Sequence, residues 1–286
     1  MRRSLFVLAA VAVAFPAAVA FPAAVRADDV PKPVDPIPAL VERLKDDQPL
    51  EVRLAALKDA TETEDLRLIA PLAKLSKAEE AEVRLAAVAA LAKSKFPETK
   101  KRAAAALLER SKVVQLAFDK DVSRKAELIE ILRGLHDLAQ AATIDGLLDG
   151  IDVGIDRDVI EARAMAVANV PSAKAIEGLI SRMARRHRDG SGIRAELTRA
   201  LAYATGVKVG NDDDAWRSWW HDAKATFDFD KASAERERAR AARAEQAAKK
   251  AANAAKKGEG KPKKPDTTPK DGEVPKPPDG EKPTER

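Results

Sequence analysis

Apolar positions recur along the chain at the spacing of α-helices that bury one face, and the clearest pattern occurs twice. Residues 51–57 are Glu-Val-Arg-Leu-Ala-Ala-Leu, and residues 82–88, 31 positions further on, are Glu-Val-Arg-Leu-Ala-Ala-Val. A leucine precedes the arginine by nine residues in both copies, at Leu44 and Leu75. This period is typical of stacked helical hairpins, each an apolar helix, a short acidic turn and a second apolar helix. Pro71 falls inside one predicted helix and is expected to bend it.

The repeated segment resembles the HEAT repeat, in which a leucine-rich first helix precedes an acidic turn and a second helix with Val-Arg-x-x-Ala-Ala. The resemblance implies an all-α fold over residues 37–206, a right-handed superhelical solenoid of antiparallel helix pairs. Arg124, Arg163 and Arg194 are the best candidates for later equivalents of Arg84. The predicted repeat anchors are Val52, Arg53, Leu57, Val83, Arg84, Val88 and Leu91.

The segment that follows the repeats, residues 207–230, holds all three tryptophans. It is similar to the segment that ends many exported bacterial HEAT-repeat proteins. An acidic loop before the tryptophans supplies helix caps. We expect the aromatic stripe to cover the open end of the last helix pair, and an exposed platform for sugars or peptides is the alternative. The stripe consists of Trp216, Trp219, Trp220 and Phe227, which lie on one face of a helix.

The first 27 residues have the pattern of a secretory signal peptide. Arg2 and Arg3 precede a short apolar run, and small residues stand before Asp28. Cleavage is predicted after residue 27, with residue 20 as the alternative. An uncleaved membrane anchor is disfavoured, because the run is mostly alanine and prolines interrupt it. We therefore expect an exported protein, periplasmic or extracellular, in which residues 28–36 form a stiff linker.

The composition changes beyond residue 230. Residues 231–257 carry nine Lys and Arg against three Glu in an alanine-rich, helix-forming stretch. Because this stretch has almost no apolar side chain larger than alanine, we expect a solvated helix that does not pack on the body. The alternative is a site for polyanions, such as an anionic envelope polymer or lipid. Residues 258–286 contain seven prolines and balanced charges, which predicts a disordered tail.

The charges and the candidate chemical groups point away from catalysis. The formal net charge is +5, of which the signal segment contributes +3 and residues 231–257 contribute +6, so residues 28–230 have −4. The chain has no cysteine, which excludes disulfides and thiolate sites. His136, His187 and His221 are far apart, and the aspartates between residues 149 and 158 lack the spacing of a calcium loop. We therefore expect no catalytic residue, cofactor or metal.

These patterns predict a non-enzymatic binding or scaffold protein that acts outside the cytoplasm through the concave solenoid face, with a protein as partner. One alternative is an envelope-tethering protein that uses residues 231–257 to bind polyanions. A less favoured one is an enzyme or lyase built on the solenoid. Nucleic acid is a disfavoured partner, because no aromatic side chains for base stacking are interleaved with the basic ones.

Overall fold

The computed structural model describes residues 35–153, 156–183 and 192–258, and this part of the chain is all-α. The predicted signal peptide, most of the predicted linker and nearly all of the predicted tail lie outside the described residues, as does His187. None of the described helices is both long enough and apolar enough to cross a membrane.

The described residues form twelve α-helices. Aspartate side chains cap several of them, since Asp35, Asp156 and Asp212 accept hydrogen bonds from backbone N–H groups at the starts of α1, α8 and α11. The helices are α1 Pro36–Arg43, α2 Leu50–Glu62, α3 Ile69–Leu75, α4 Ala81–Ala92, α5 Pro97–Phe118, α6 Lys125–Leu138, α7 Ile144–Val153, α8 Arg157–Ala168, α9 Ala173–Met183, α10 Arg194–Thr205, α11 Asp213–Ala223 and α12 Phe229–Gly258.

The helices of the body lie in two layers. In the even-numbered layer, α2, α4, α6, α8 and α10 contact one another in chain order. In the odd-numbered layer, α3, α5, α7, α9 and α11 do the same, and helices adjacent in the chain, such as α7 and α8, join the layers. The buried side chains are mainly Leu, Ile, Val and Ala. The core therefore extends along the body between the layers, and α12 packs against α10 outside it.

The even-numbered helices share one buried register. In each helix from α2 to α10 of this layer, the fourth helical residue is buried. From α6 onward this position is apolar, so the Val-Arg signature disappears from the sequence while the buried position persists. The buried fourth residues are Arg53, Arg84, Leu128, Ile160 and Leu197.

The prediction that Arg124, Arg163 and Arg194 are later equivalents of Arg84 is therefore wrong. Arg124 precedes the first residue of α6, and Arg194 is the first residue of α10. Arg163 is buried in α8, but it lies three residues beyond Ile160. The buried positions are set by the apolar residues that fill the space between the layers. A long arginine side chain can reach that space from more than one turn of a helix, so an arginine does not mark the register.

Pro71 lies close to the start of its helix, so the reason for predicting a bend there does not apply. A 3₁₀ turn, Leu66–Leu68, leads into α3, which begins at Ile69. Pro71 is thus in the first helical turn, where its missing N–H removes no intrahelical hydrogen bond.

Candidate functional site

The repeat anchors lie at the contact between successive helices. Leu57, Val83, Val88 and Leu91 are buried, and Val52 is half-buried. The apolar anchors thus contribute to packing between the layers and form no open site.

The two anchor arginines are buried and each binds a carboxylate further along the chain. Arg53 donates from Nη2 to Oε1 of Glu80, just before α4, at 2.6 Å. Arg84 donates from Nε to Oε2 of Glu127 in α6 at 3.2 Å, and from Nη1 to the carbonyl oxygen of Ala78 at 2.9 Å. Each arginine therefore links its own helix to the next helix of the even-numbered layer.

Glu127 is a buried carboxylate shared by three guanidinium groups. Besides Arg84, Arg110 donates from Nη2 to Oε1 at 2.5 Å and Arg124 donates from Nη1 to Oε2 at 3.0 Å. Burial raises the pKa of Glu127, but the hydrogen bond with Arg110 and the charges of Arg110 and Arg84 outweigh it and hold the pKa below its ordinary value. The cluster of one carboxylate and three cations has a positive excess.

Ion pairs continue at the starts of the later helices. In each of them the basic side chain is more exposed than Arg84 and Arg110, although Glu196 and Asp213 are buried. They are Lys125 Nζ to Asp156 Oδ2 at 2.9 Å, Arg157 Nη1 to Glu196 Oε1 at 3.0 Å, and Arg194 Nη2 to Asp213 Oδ1 at 3.0 Å.

The three tryptophans of the aromatic stripe lie on α11, which contacts α9 in the odd-numbered layer. Phe227 follows the end of α11 at Ala223, so the stripe does not lie on one helix as predicted. Trp216 and Trp220 are buried, whereas Trp219 and Phe227 are half-buried. The indole N–H of Trp216 donates to the carbonyl oxygen of Gly210 at 2.7 Å. The rings of Trp216 and Trp219 meet edge to face, 5.6 Å apart. The stripe is thus a packed cluster at the α9 side of the body.

A groove with a volume of about 1040 Å³ lies on the face of α6, α8 and α10 that points away from the odd-numbered layer, and α12 forms its far wall. We call it the inner groove. Apolar and charged side chains of both signs share its lining, which suits a polypeptide segment better than a simple ion. Six of the lining residues are Ile129, Arg133, Asp158, Glu161, Met165 and Arg240.

Three polar side chains meet at the inner groove, near the C-terminal ends of α6, α8 and α10. The Tyr203 hydroxyl donates to Oδ1 of Asn169 at 3.0 Å and lies 3.3 Å from Nε2 of His136. The Asn169 amide donates to the carbonyl oxygen of His136 at 2.7 Å. Nδ1 of His136 lies 3.1 Å from Oδ1 of Asp137, and this hydrogen bond holds the pKa of Asp137 below its ordinary value. The network ties three successive helices together.

This network was missed in the sequence, where His136 was considered alone. Asn169 follows His136 by 33 residues, and Tyr203 follows Asn169 by 34. These intervals are close to the 31-residue period of the heptapeptides, so polar residues one repeat apart were a usable signal.

The first turns of α12 dock on the body, which corrects the expectation that the basic segment does not pack. Arg236 donates from Nη1 to the carbonyl oxygen of Ala204 at 2.7 Å, and its guanidinium lies 5.3 Å from the centre of the Tyr203 ring. The contact depends on an arginine and an aromatic ring, so a scarcity of apolar residues did not exclude it. Side chains of residues 237–253 are exposed.

The remaining candidate ligands do not converge. His221 is exposed, and within the described ranges no three His, Asp or Glu side chains are grouped to hold a metal ion. Asp149 and Asp152 face Arg182, whose Nη2 lies 3.7 and 3.1 Å from their oxygens.

Comparison with known proteins adds no relative. No model of a protein family matches the chain. No curated protein matches it either.

Proposed function

We propose that the two layers form a right-handed, HEAT-like superhelical solenoid with the even-numbered helices on its concave side. The support is the chain-ordered contact of helices within each layer, together with the buried fourth position that recurs from α2 to α10. Small-angle X-ray scattering of the chain without its first 27 residues tests this proposal. We expect the profile of a curved, elongated particle, and the profile of a compact sphere would contradict it.

We infer that the protein is a non-enzymatic binding or scaffold module and that the inner groove contacts its partner. The observation that carries this inference is the groove itself, about 1040 Å³ between three stacked helices and α12. This volume is at the upper limit of small-molecule sites, and the mixed lining suits a segment of a protein. The polar groups at the groove are hydrogen-bonded to one another, which favours a structural part for His136 and Tyr203 over a catalytic one.

Site-specific photo-crosslinking tests the groove as the contact surface. A photoreactive amino acid replaces Arg133, which lines the groove, and in a matched variant it replaces Arg102, an exposed arginine of α5. We expect a discrete crosslinked protein only from position 133, and we expect Met165→Glu in the groove to abolish it. The same products from both positions would refute the groove as the site.

We also propose that the protein acts after export, in the periplasm or outside the cell. The support is the signal-peptide pattern of the first 27 residues, with its two arginines, apolar run and small residues before Asp28. N-terminal sequencing of the protein from its own cells is expected to begin at Asp28, or at Phe21 if the alternative site is used. Recovery from the cytoplasm with Met1 retained would refute export.

A tethering function is the second proposal, and the exposure of α12 favours it. Beyond the docked Arg236, the basic side chains from Arg238 to Lys250 are exposed and so accessible to a polyanion, although Arg240 and Lys249 also pair with Asp137 and Glu245. Co-sedimentation with phosphatidylglycerol vesicles compares the full chain with one that ends at residue 238. Binding that is lost on truncation and weakened by salt supports tethering, and equal binding by both chains contradicts it.

A further inference from the structure

A second cavity, of about 410 Å³, opens beside the Glu127 cluster, away from the inner groove. Arg84, Arg110 and Arg124 line it, and Lys77 stands at its rim. Two carboxylates accompany these four cations, Glu127 beneath them and Glu79 in the lining, which leaves two positive charges in excess. We call it the arginine pocket.

The hydrogen-bond donors of the arginine pocket outnumber their acceptors. Each guanidinium has five N–H groups. The acceptors are the two oxygens of Glu127, which are shared among three arginines, and the carbonyl oxygens of Ala78 and Glu79, which accept from Arg84. Nε of Arg110 is buried and has no hydrogen-bond partner in the described part of the chain. That atom is out of reach of solvent, so an incoming anion is bound by the guanidinium groups that line the pocket, whose charge Glu127 and Glu79 do not balance.

Apolar side chains lie exposed next to this charge. Val113 lines the pocket and is 54% exposed, and Leu116, one turn further along α5, is 67% exposed. Val122, in the turn after α5, is 73% exposed. Large apolar side chains that are exposed together commonly mark a surface for another protein.

We propose that the arginine pocket binds an acidic side chain of a protein partner and that Val113 and Leu116 receive an apolar residue adjacent to that acid. Glu127 holds the guanidinium groups in place, so they meet the incoming carboxylate already oriented. The partner segment is therefore acidic with a neighbouring leucine-like residue, and it binds at a surface distinct from the inner groove.

Two capped peptides test the proposal, acetyl-Ser-Glu-Leu-Leu-Ser-amide and the same peptide with Gln in place of Glu. Binding to the protein from residue 28 onward is followed by the NMR signals of the arginine Nε–H groups and of the α5 backbone. We expect the Glu peptide to saturate the shift of the Arg110 Nε–H signal. We expect the Gln peptide to bind at least about tenfold more weakly, since it lacks the charge-assisted hydrogen bonds.

Variants locate the site. Arg110→Gln is expected to weaken the Glu peptide about tenfold, while Arg102→Gln, on the same helix, leaves binding unchanged. If Arg110→Gln fails to fold, Lys77→Glu replaces it, because Lys77 is exposed. We expect Lys77→Glu to weaken binding of the Glu peptide and its matched control, Lys74→Glu, to leave that binding unchanged. Equal binding of the two peptides would refute carboxylate recognition. Sodium acetate binding as tightly as the Glu peptide would refute the apolar contact.

Discussion

Glu127 neutralises buried charge for three arginines, so its removal is expected to cost more than the loss of any exposed ion pair. Glu127→Gln keeps the shape of the side chain but leaves the buried Arg84 and Arg110 without a counter-charge. We predict a loss of about 3–5 kcal/mol in the free energy of unfolding at pH 7, measured by urea denaturation. Glu130→Gln, on the exposed face of the same helix, is the control and is expected to change it by less than about 1 kcal/mol.

The same carboxylate gives the stability a defined pH dependence. The folded pKa of Glu127 lies below its unfolded value, which is about 4.3. Its contribution is therefore fully present above the unfolded pKa and is lost as the pH falls through the folded pKa. The difference between the parent chain and Glu127→Gln should shrink below about pH 4, and a difference that persists there would show that the charge is not its cause.

A buried arginine of α8 leaves no space for a side chain at Gly150 in α7. A Cβ at Gly150 would lie 1.8 Å from Nη1 of Arg163. Arg163 is 2% exposed and donates to Gln115 at 3.0 Å, so it has little room to move. Burial lowers the pKa of Arg163 to about 10, with nearby Asp119 opposing, so it stays charged at neutral pH.

We predict that Gly150→Ala destabilises the protein by about 1–3 kcal/mol through this clash, although alanine favours a helix over glycine. Gly146→Ala, one turn earlier in α7, is the matched control. Its Cβ would meet the methyl groups of the half-buried Leu108 at 2.9 and 3.0 Å, a milder approach, so we expect a smaller loss. Thermal unfolding compares them, and equal midpoints for the two variants would rule out the packing of Arg163 on Gly150.

At the scale of elements, the sequence predicted those helices whose apolar pattern lies within one segment of the chain. It did not predict the features that depend on how several helices pack together. The two heptapeptides became α2 and α4 with the same buried register, because each carries its apolar residues within one helix. The later register was misjudged because arginines were taken as its marker, and of Arg124, Arg163 and Arg194 only Arg163 is buried. The groove network was missed because His136, Asn169 and Tyr203 meet only when three helices stack.

The docking of α12 was not predicted from the composition of residues 231–257, because within that segment it depends on polar contacts, chiefly those of Arg236. Arg236 bonds the last turn of α10 and lies over Tyr203. A chain that ends at residue 230 lacks this arginine, whereas one that ends at residue 238 retains it. We predict that the shorter chain is less stable by about 1–2 kcal/mol, because it loses a charge-assisted hydrogen bond and a cation–π contact.

Urea denaturation followed by far-ultraviolet circular dichroism compares the two truncated chains. The chain that ends at residue 238 is expected to match the full chain from residue 28, because the side chains of residues 237–253 are exposed. Equal midpoints for all three chains would mean that the Arg236 contact contributes nothing to stability.

At the scale of the whole molecule, the main contacts of the described helices are between neighbours in the array, and only side-chain contacts such as that of Tyr203 in α10 with His136 in α6 reach further. The core is continuous, but α2 and α11 lie at opposite ends of the order of contacts. In such an array, stability is a sum of local contributions, and one end can unfold before the other. All three tryptophans are on α11, so their fluorescence reports on that end alone.

Leu57→Ala separates local from global unfolding. Leu57 is buried in α2, and its truncation is expected to cost about 2–4 kcal/mol there. If the array unfolds in parts, the urea midpoint measured by circular dichroism falls, while the midpoint measured by tryptophan fluorescence moves less than half as far. Leu179→Ala, in the α9 helix that contacts α11, is the matched variant and should shift the fluorescence midpoint more than the circular dichroism midpoint. Equal shifts of both signals in both variants would show that the body unfolds as one cooperative unit, because a cavity at either end would then weaken the whole core equally.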